Sequence, residues 1–558
     1  MNNSEIADQL SLLSKLMDIH QQNSFKSKTY SIAAYKIDQL DETLEELSEK
    51  ELFALQGIGD SIGKVILELI KTHKIKMLDD LQEATPGGIL EMMRIKGLGP
   101  KKISTIWKEM EIENIGELLY ACNENRLSNY KGFGKKTQDN VIEAINIYLS
   151  QAGNYLYAQI EGLCDELLMF LQKALLNENV FLTGDCRRHA ETIHTIEFVV
   201  GAEKEDIKKR IAIFEQFTAI EEHDDTLLFK YDNRINVKFW ITEKNRITEK
   251  LFDTTGSPEF IALFKNELSV YADAKDEAEI FKSAGMQFIP PFLREEEHFI
   301  TAAKNNNIKE VIEPGDVKAV IHSHSDWSDG AFTIEQMGKA AMTKGFEYLV
   351  ISDHSKAAFY ARGLSEDKIA AQHELIEKLN IKLTPFKIFK SIESDILNDG
   401  SLDYTDDVLA SFDLVIASVH SNLKMGEEKS MPRLLKAIEN PYTTILGHMT
   451  GRLLLSRSGF KVDYKKIIDA CAANDVVIEI NAHPKRLDMR WQWIQYALDK
   501  NILLSIDPDA HSIEEFNNIR YGVLAAQKGM LTKDRNLSSF SLKEFEDFLQ
   551  QRRIKKGL

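Results

Sequence analysis

Seven short apolar runs in the C-terminal part of the chain each end in histidine, aspartate or glutamate, and this series narrows the accessible folds more than any other feature. Residues 318–321 lead into His322-Ser323-His324, 348–352 into Asp353-His354, 389–392 into Glu393-Ser394-Asp395, and 414–419 into His420. Residues 443–447 lead into His448, 476–480 into Asn481-Ala482-His483, and 502–506 into Asp507-Pro508-Asp509-Ala510-His511. Helical periodicity fills most of the gaps, at 333–344, 366–380, 432–440, 464–474 and 489–500. Strands alternating with helices predict a parallel sheet, and this many units predict a closed or nearly closed α/β barrel. Such barrels carry their chemistry at the C-terminal strand ends, where these residues fall. In a strand, residues two apart point the same way, so His322 and His324 are expected to project together and begin a metal site.

The rest of the composition sets limits. A chain of 558 residues, 43% of them hydrophobic, predicts several domains with real cores. No run of apolar residues is long enough for a membrane span, and no apolar signal core opens the chain, so a soluble cytoplasmic protein without membrane partners is expected. Cys122, Cys164, Cys186 and Cys471 show no CxxC spacing, which leaves metal binding to histidine and carboxylate. A formal charge of −18 argues against a protein that coats DNA, so any nucleic-acid site must be local.

The first 150 residues read as helical, and a short pattern recurs within them: Leu55-Gln56-Gly57-Ile58-Gly59, Ile95-Lys96-Gly97-Leu98-Gly99 and Tyr130-Lys131-Gly132-Phe133-Gly134. Each precedes a helical stretch and describes a helix-hairpin-helix unit. Glycines permit the tight turn, and N–H groups at the following helix start can bind a phosphate without reading a base. Lys101, Lys102 and Lys135 add positive charge beside the second and third copies; the first has Asp60 instead.

The C-terminal motifs resemble those of a PHP (polymerase and histidinol phosphatase) domain, and the whole chain resembles the bacterial family X DNA polymerases that carry one. The resemblance implies a multidomain protein. Its parts are a small helical N-terminal domain at 1–80, a fingers-like helical region at 81–150, an α+β nucleotidyltransferase-like palm and thumb at 151–294, a linker at 295–316, and a distorted (β/α)7 barrel at 317–558. It also implies three divalent metals, Mn²⁺, Zn²⁺ or Fe²⁺, held by His322, His324, Asp329, His354, Glu393, His420, His448, Asp509 and His511, with Glu393 bridging. Arg433, Arg452 and Arg486 follow strand ends and are read either as phosphate contacts or as surface salt bridges. His483 and Asp395 are expected to support the ligands. In some relatives a lysine of the N-terminal domain forms a Schiff base; Val65 holds that position, so no lyase activity is expected.

The middle of the chain departs from the family pattern. Gly184-Asp185-Cys186-Arg187-Arg188 resembles a signature with serine in place of Asp185. Thr195 and Glu197 occupy the two aspartate positions of the metal-binding strand, and Asn236 occupies the third. Asp253 and Thr254 replace two aromatic residues before Thr255-Gly256-Ser257. Two-metal phosphoryl transfer needs those carboxylates, so the palm is expected not to bind Mg²⁺ or deoxynucleotide well. The resemblance then implies a monomeric DNA-repair nuclease: a metal-dependent 3′–5′ exonuclease, with 3′-phosphatase or abasic-site cleavage as variants, acting sequence-independently on gapped or 3′-ended DNA. The alternatives are an active gap-filling polymerase with an exonuclease, a small-molecule PHP phosphatase, and a non-catalytic DNA scaffold.

Overall fold

The computed structural model describes residues 1, 3–38, 40, 43–55, 58–95, 97–150, 153–176, 179–268, 271 and 274–558. They form two compact units, one of residues 1–122 and 134–146, the other of 123–133 and 147–558.

The smaller unit is entirely helical among its described residues. Ile6, Leu10, Leu13 and Met17 recur at helical spacing along Asn3–Ile19 and are buried, as are Tyr30, Ala33 and Ile37 of Ser24–Asp38. The hairpins precede helices Asp60–Thr72, Pro100–Lys108 and Lys135–Ser150.

In the larger unit, β1 (Tyr155–Leu156) and β3 (Thr192–Ile193) form a small antiparallel ladder. A five-stranded sheet contains β2 (Val180–Thr183), β4 (Thr195–Val200), β5 (Phe217–Glu222), β6 (Thr226–Tyr231) and β7 (Ile235–Ile241), in the order β2-β4-β7-β6-β5. Ile196, Phe198, Val237 and Phe239 turn into a core shared with Ile160, Cys164, Leu167 and Leu171 of helix Tyr157–Ala174. The alternation of a strand sends Thr195, Glu197, Asn236 and Lys238 to the other face.

The seven expected apolar runs are strands: β8 (Ala319–Val320), β9 (Tyr348–Ile351), β10 (Lys387–Asp395), β11 (Leu414–Ser418), β12 (Thr443–Leu446), β13 (Val477–Asn481) and β14 (Leu504–Asp507). All pair in parallel in sequence order, and a bridge between Ser323 and Ala510 brings the two ends together, so the barrel is nearly closed. Its interior has two storeys. Tyr348, Val350, Phe389, Ile416, Ile445 and Val477 pack with Phe545 and Leu549 of the C-terminal helix Leu542–Lys556, which plugs the N-terminal end. Residues of the same parity further along the strands form the polar upper storey. Phe389 is thus followed by Ser391 and Glu393, and Val477 by Glu479 and Asn481.

Two local expectations change. The helix expected to begin at Pro432 spans Glu427–Glu439, with Gly426 as its N-cap; the proline removes one internal hydrogen bond rather than starting the helix. His322 and His324 also lie beyond β8, and His322 has φ 58°, so strand alternation does not bring the pair together. A left-handed turn does, leaving the rings 5.2 Å apart.

Candidate metal centre

The upper storey gathers all nine candidate ligands. His324, Asp329, His354 and His511 form one cluster of ligand atoms, His322, His324 and Asp509 a second, and His354, Glu393 and His420 a third. Glu393 ties them together: Oε1 lies 3.3 Å from His322 Nε2, 3.1 Å from His420 Nε2 and 3.0 Å from His448 Nε2, and Oε2 lies 2.8 Å from His354 Nδ1. Glu393 is fully buried, and burial alone would raise its pKa. The surrounding His420, His354 and His322 instead hold it well below the usual carboxylate range. Asp329 behaves likewise, with burial opposed by His354 and His511.

The atoms of this storey fit metal ions. His322 Nε2, His324 Nδ1, both ring nitrogens of His354, Asp329 Oδ2, Glu393 Oε2 and His511 Nε2 are buried without a hydrogen bond, although ligand atoms lie 2.8 to 4.0 Å apart. Buried polar atoms normally find partners, so a set of orphans converging on shared points is what cation binding requires.

A second layer of carboxylates aims these groups. Glu479 Oε2 lies 2.5 Å from His322 Nδ1, while its Oε1 accepts from the N–H of His448 at 2.9 Å and from Asn481 Nδ2 at 2.9 Å. Asp395 Oδ1 lies 3.1 Å from His420 Nδ1. Asp353 accepts from Ser325 N (2.8 Å), Ser325 Oγ (2.6 Å), Ser328 Oγ (2.5 Å) and Gln372 Nε2 (2.7 Å), which fixes the loop carrying Asp329. His483 accepts the N–H of Lys485 at 3.2 Å. From the sequence, Asp353 stands at the end of one apolar run and Glu479 lies within another, and neither of these tasks is anticipated. The signal for Glu479 was its parity with Asn481.

The three arginines are not surface salt bridges: each is about 3% exposed and already engaged within the protein. Arg433 donates to the carbonyls of Ile396, Leu397 and Ser421. Arg452 donates to the carbonyl of Arg486 and binds Glu191 through both terminal nitrogens, at 2.7 and 3.3 Å. Arg486 lies between Asp509 (3.7 Å) and Glu124 (3.9 Å).

The palm face differs in kind. Thr195 pairs with Asn236 in register and Glu197 with Lys238. Trp240 Nε1 donates to Glu197 at 2.7 Å, and burial raises the Glu197 pKa. Lys230 Nζ donates to Asn236 at 3.2 Å, and Lys238 Nζ sits 3.6 Å from the Trp240 ring centroid. Lysine ammonium groups thus stand beside the positions where the family pattern has metal-binding aspartates. Arg188 is engaged by Asp185, by Glu295 at 3.2 Å and by the Thr255 carbonyl at 2.7 Å; Arg187 is held by Glu277 at 2.6 Å.

In the hairpins, Gly97 and Gly132 share φ near +92°, and Gly59 and Gly99 are N-caps with no side-chain cap bond, leaving first-turn N–H groups available. Gly134, Lys101 and Lys135 are exposed, and Lys102 is partly so. Gly57 and Lys96 lie outside the described residues. No helix among the described residues is long and apolar enough to cross a membrane.

Comparison with known proteins agrees with this layout. Residues 1–75 match a helix-hairpin-helix domain, 89–146 a SAM-like helix-hairpin-helix tandem, and 321–483 a PHP domain. The chain is 30% identical over 572 aligned positions to the DNA polymerase/3′-5′ exonuclease PolX of Bacillus subtilis, covering 99% of this chain and 100% of that protein. It is 23% identical over 252 positions to a probable phosphatase of Thermoanaerobacter sp., covering 42% of this chain and 96% of that protein. A probable phosphatase of Caldanaerobacter subterraneus is 27% identical over 170 positions, 29% of this chain and 60% of that protein.

Proposed function

The chain belongs to the bacterial PolX family of family X DNA polymerases with a C-terminal PHP domain, and from that premise we propose that it is a DNA-end phosphoesterase whose polymerase activity has been lost. The observation that carries this reading is the contrast between its two sites. All nine barrel ligands are competent and gathered, whereas the palm face holds Thr195, Glu197 and Asn236 beside Lys230 and Lys238.

In this reading His322, His324, Asp329, His354, Glu393, His420, His448, Asp509 and His511 would hold three divalent ions, Mn²⁺, Zn²⁺ or Fe²⁺. When bound, such ions neutralise the non-bridging oxygens of a phosphate ester and lower the pKa of a water near it. The chain's own residues do the rest. Glu479 and Asp395 hold His322 and His420 in their tautomers, and Asp353 keeps the Asp329 loop in place. The hairpins contribute sequence-independent phosphate contacts from backbone N–H groups and from Lys101, Lys102 and Lys135. The substrate is gapped or 3′-ended DNA in the cytoplasm, shortened from the 3′ end. The phosphatase names of two relatives favour one second reading, hydrolysis of small phosphate monoesters.

The test is a Mn²⁺-supplemented assay on a 5′-labelled gapped primer–template, with and without deoxynucleotides, beside a His322→Ala, His324→Ala double variant. Shortening that disappears in the variant, with no extension by either protein, is the expected result. Extension by the double variant would overturn the palm reading, and phosphate release from small monoesters with intact DNA would favour the second reading.

A further inference from the structure

The mouth of the barrel carries groups that the metal centre does not use. Residues 123–133 follow helix Ile115–Asn123 in sequence yet belong to the compact unit that contains the barrel. Asn125 Nδ2 donates to the backbone carbonyl of Asp329 at 3.3 Å, so this segment is fastened to a candidate ligand's own main chain. Glu124 lies 2.6 Å from Arg126 and 3.9 Å from Arg486, which itself reaches Asp509. Arg126, its side chain 19% exposed, places its guanidinium 4.6 Å from the Tyr360 ring centroid. The Tyr360 ring is 6.5 Å from that of His354. Its hydroxyl is buried without a hydrogen-bond partner, and Asp395, Glu124 and Glu393 are all close enough to act on it electrostatically. Beside it, Phe359 is 78% exposed, with its ring 5.8 Å from that of Tyr360.

A guanidinium, an unsatisfied hydroxyl donor and an exposed aromatic face, side by side at the entrance to a phosphoesterase centre, match one ligand chemistry. An anion next to a flat apolar ring is a nucleotide. Aromatic platforms bind single-stranded bases regardless of identity, and a paired base would already be stacked on its neighbours. We propose that Arg126, Tyr360 and Phe359 form a subsite for the unpaired terminal nucleotide of a DNA strand, resting on the nuclease reading above. Tyr360 O–H and Arg126 donate to the phosphate, and the terminal base lies on Phe359. The third hairpin begins at Tyr130, soon after Arg126, so one stretch of chain carries both the subsite and a backbone-phosphate contact.

The experiment uses the full chain with Mn²⁺ and 5′-labelled single strands that end at the 3′ side in thymidine or in a base-free tetrahydrofuran residue. The wild-type protein is expected to remove the thymidine end with about tenfold higher kcat/KM, the size of one base–aromatic stack. In Phe359→Ala that ratio falls towards one, and Phe359→Trp restores it. Tyr360→Phe lowers kcat/KM on both ends by a common factor of about ten. Fluorescence anisotropy of the same strands with chelator-treated protein reads the base preference without turnover. A Phe359→Ala protein that keeps the preference, or a wild type that shows none, would overturn the subsite alone. A wild type that leaves both strands intact while hydrolysing p-nitrophenyl phosphate would overturn the nuclease reading together with it.

Discussion

Glu479→Gln tests whether the buried carboxylate behind His322 controls metal binding. Glu479 serves three donors: the His322 ring at 2.5 Å, the His448 N–H at 2.9 Å and Asn481 Nδ2 at 2.9 Å. An amide of the same shape has only one acceptor oxygen. With its NH2 towards His322, the ring must accept at Nδ1 and carry its proton on Nε2, the nitrogen that faces Glu393 and Asp509 at 3.3 and 3.4 Å. Turned the other way, the NH2 meets two donors and leaves both unsatisfied, at about 1–3 kcal/mol each. Either outcome removes a ligand or strains the site. Loss of such a supporting group lowers metal affinity about 10- to 100-fold, or about 1.4–2.8 kcal/mol. The assay is Mn²⁺ titration calorimetry on chelator-treated protein, with circular dichroism to establish that the variant is folded. A folded variant that binds Mn²⁺ as tightly and with the same stoichiometry as wild type would refute the reasoning.

The Arg452–Glu191 pair joins barrel to palm with a guanidinium that is about 3% exposed. Either alanine variant is expected to lower urea stability by about 3–5 kcal/mol, and the double variant by clearly less than the sum; additive losses would mean the pair is not coupled. Burial pushes His189 down to about 4 from an ordinary 6.5, so the unfolded chain binds its proton first as pH falls. Stability that is complete above pH 6.5 is therefore lost between 6.5 and 4, about 3 kcal/mol in all, and His189→Phe should flatten that part of the stability–pH curve. At Gly97 and Gly132 an added Cβ meets no atom within 4 Å, but φ is +93° and +92°. The double alanine variant should bend both hairpins and weaken duplex binding by anisotropy severalfold, whereas Gly59→Ala, at φ −80°, should not.

The barrel was legible because its local signals repeat. Each expected strand is an apolar run that leads into histidine, aspartate or glutamate, so the strand series could be read without knowing how distant segments pack, whereas the set of nine candidate ligands came from the family resemblance. Features that depend on packing were not legible. Arg433 and Arg452 follow strand ends as phosphate-binding residues would, and only the tertiary structure brings carbonyls and Glu191 to their guanidiniums. His322 and His324 carried the right chemistry for the wrong local reason, since a left-handed residue rather than an extended strand joins them. Arg126 gave no signal at all: its relation to Tyr360 spans two segments far apart in sequence, and no periodicity records that.

The palm poses the opposite question, why part of the signature is present while Thr195 and Asn236 stand at two of its three aspartate positions. Arg188 is 8% exposed and bound to Asp185, Glu295 and the Thr255 carbonyl. Glu295 is shared with Lys528, which is 2% exposed and also donates to the Arg188 carbonyl at 3.0 Å. Glu191 holds Arg452. Removing any one member leaves a buried charge without its partner, a penalty that does not depend on catalysis. Thr195, Asn236 and Lys230 carry no such burden: they lie on a partly open face. The residues that match the signature are thus those whose charge the fold itself requires, and Thr195 and Asn236 stand where it requires none.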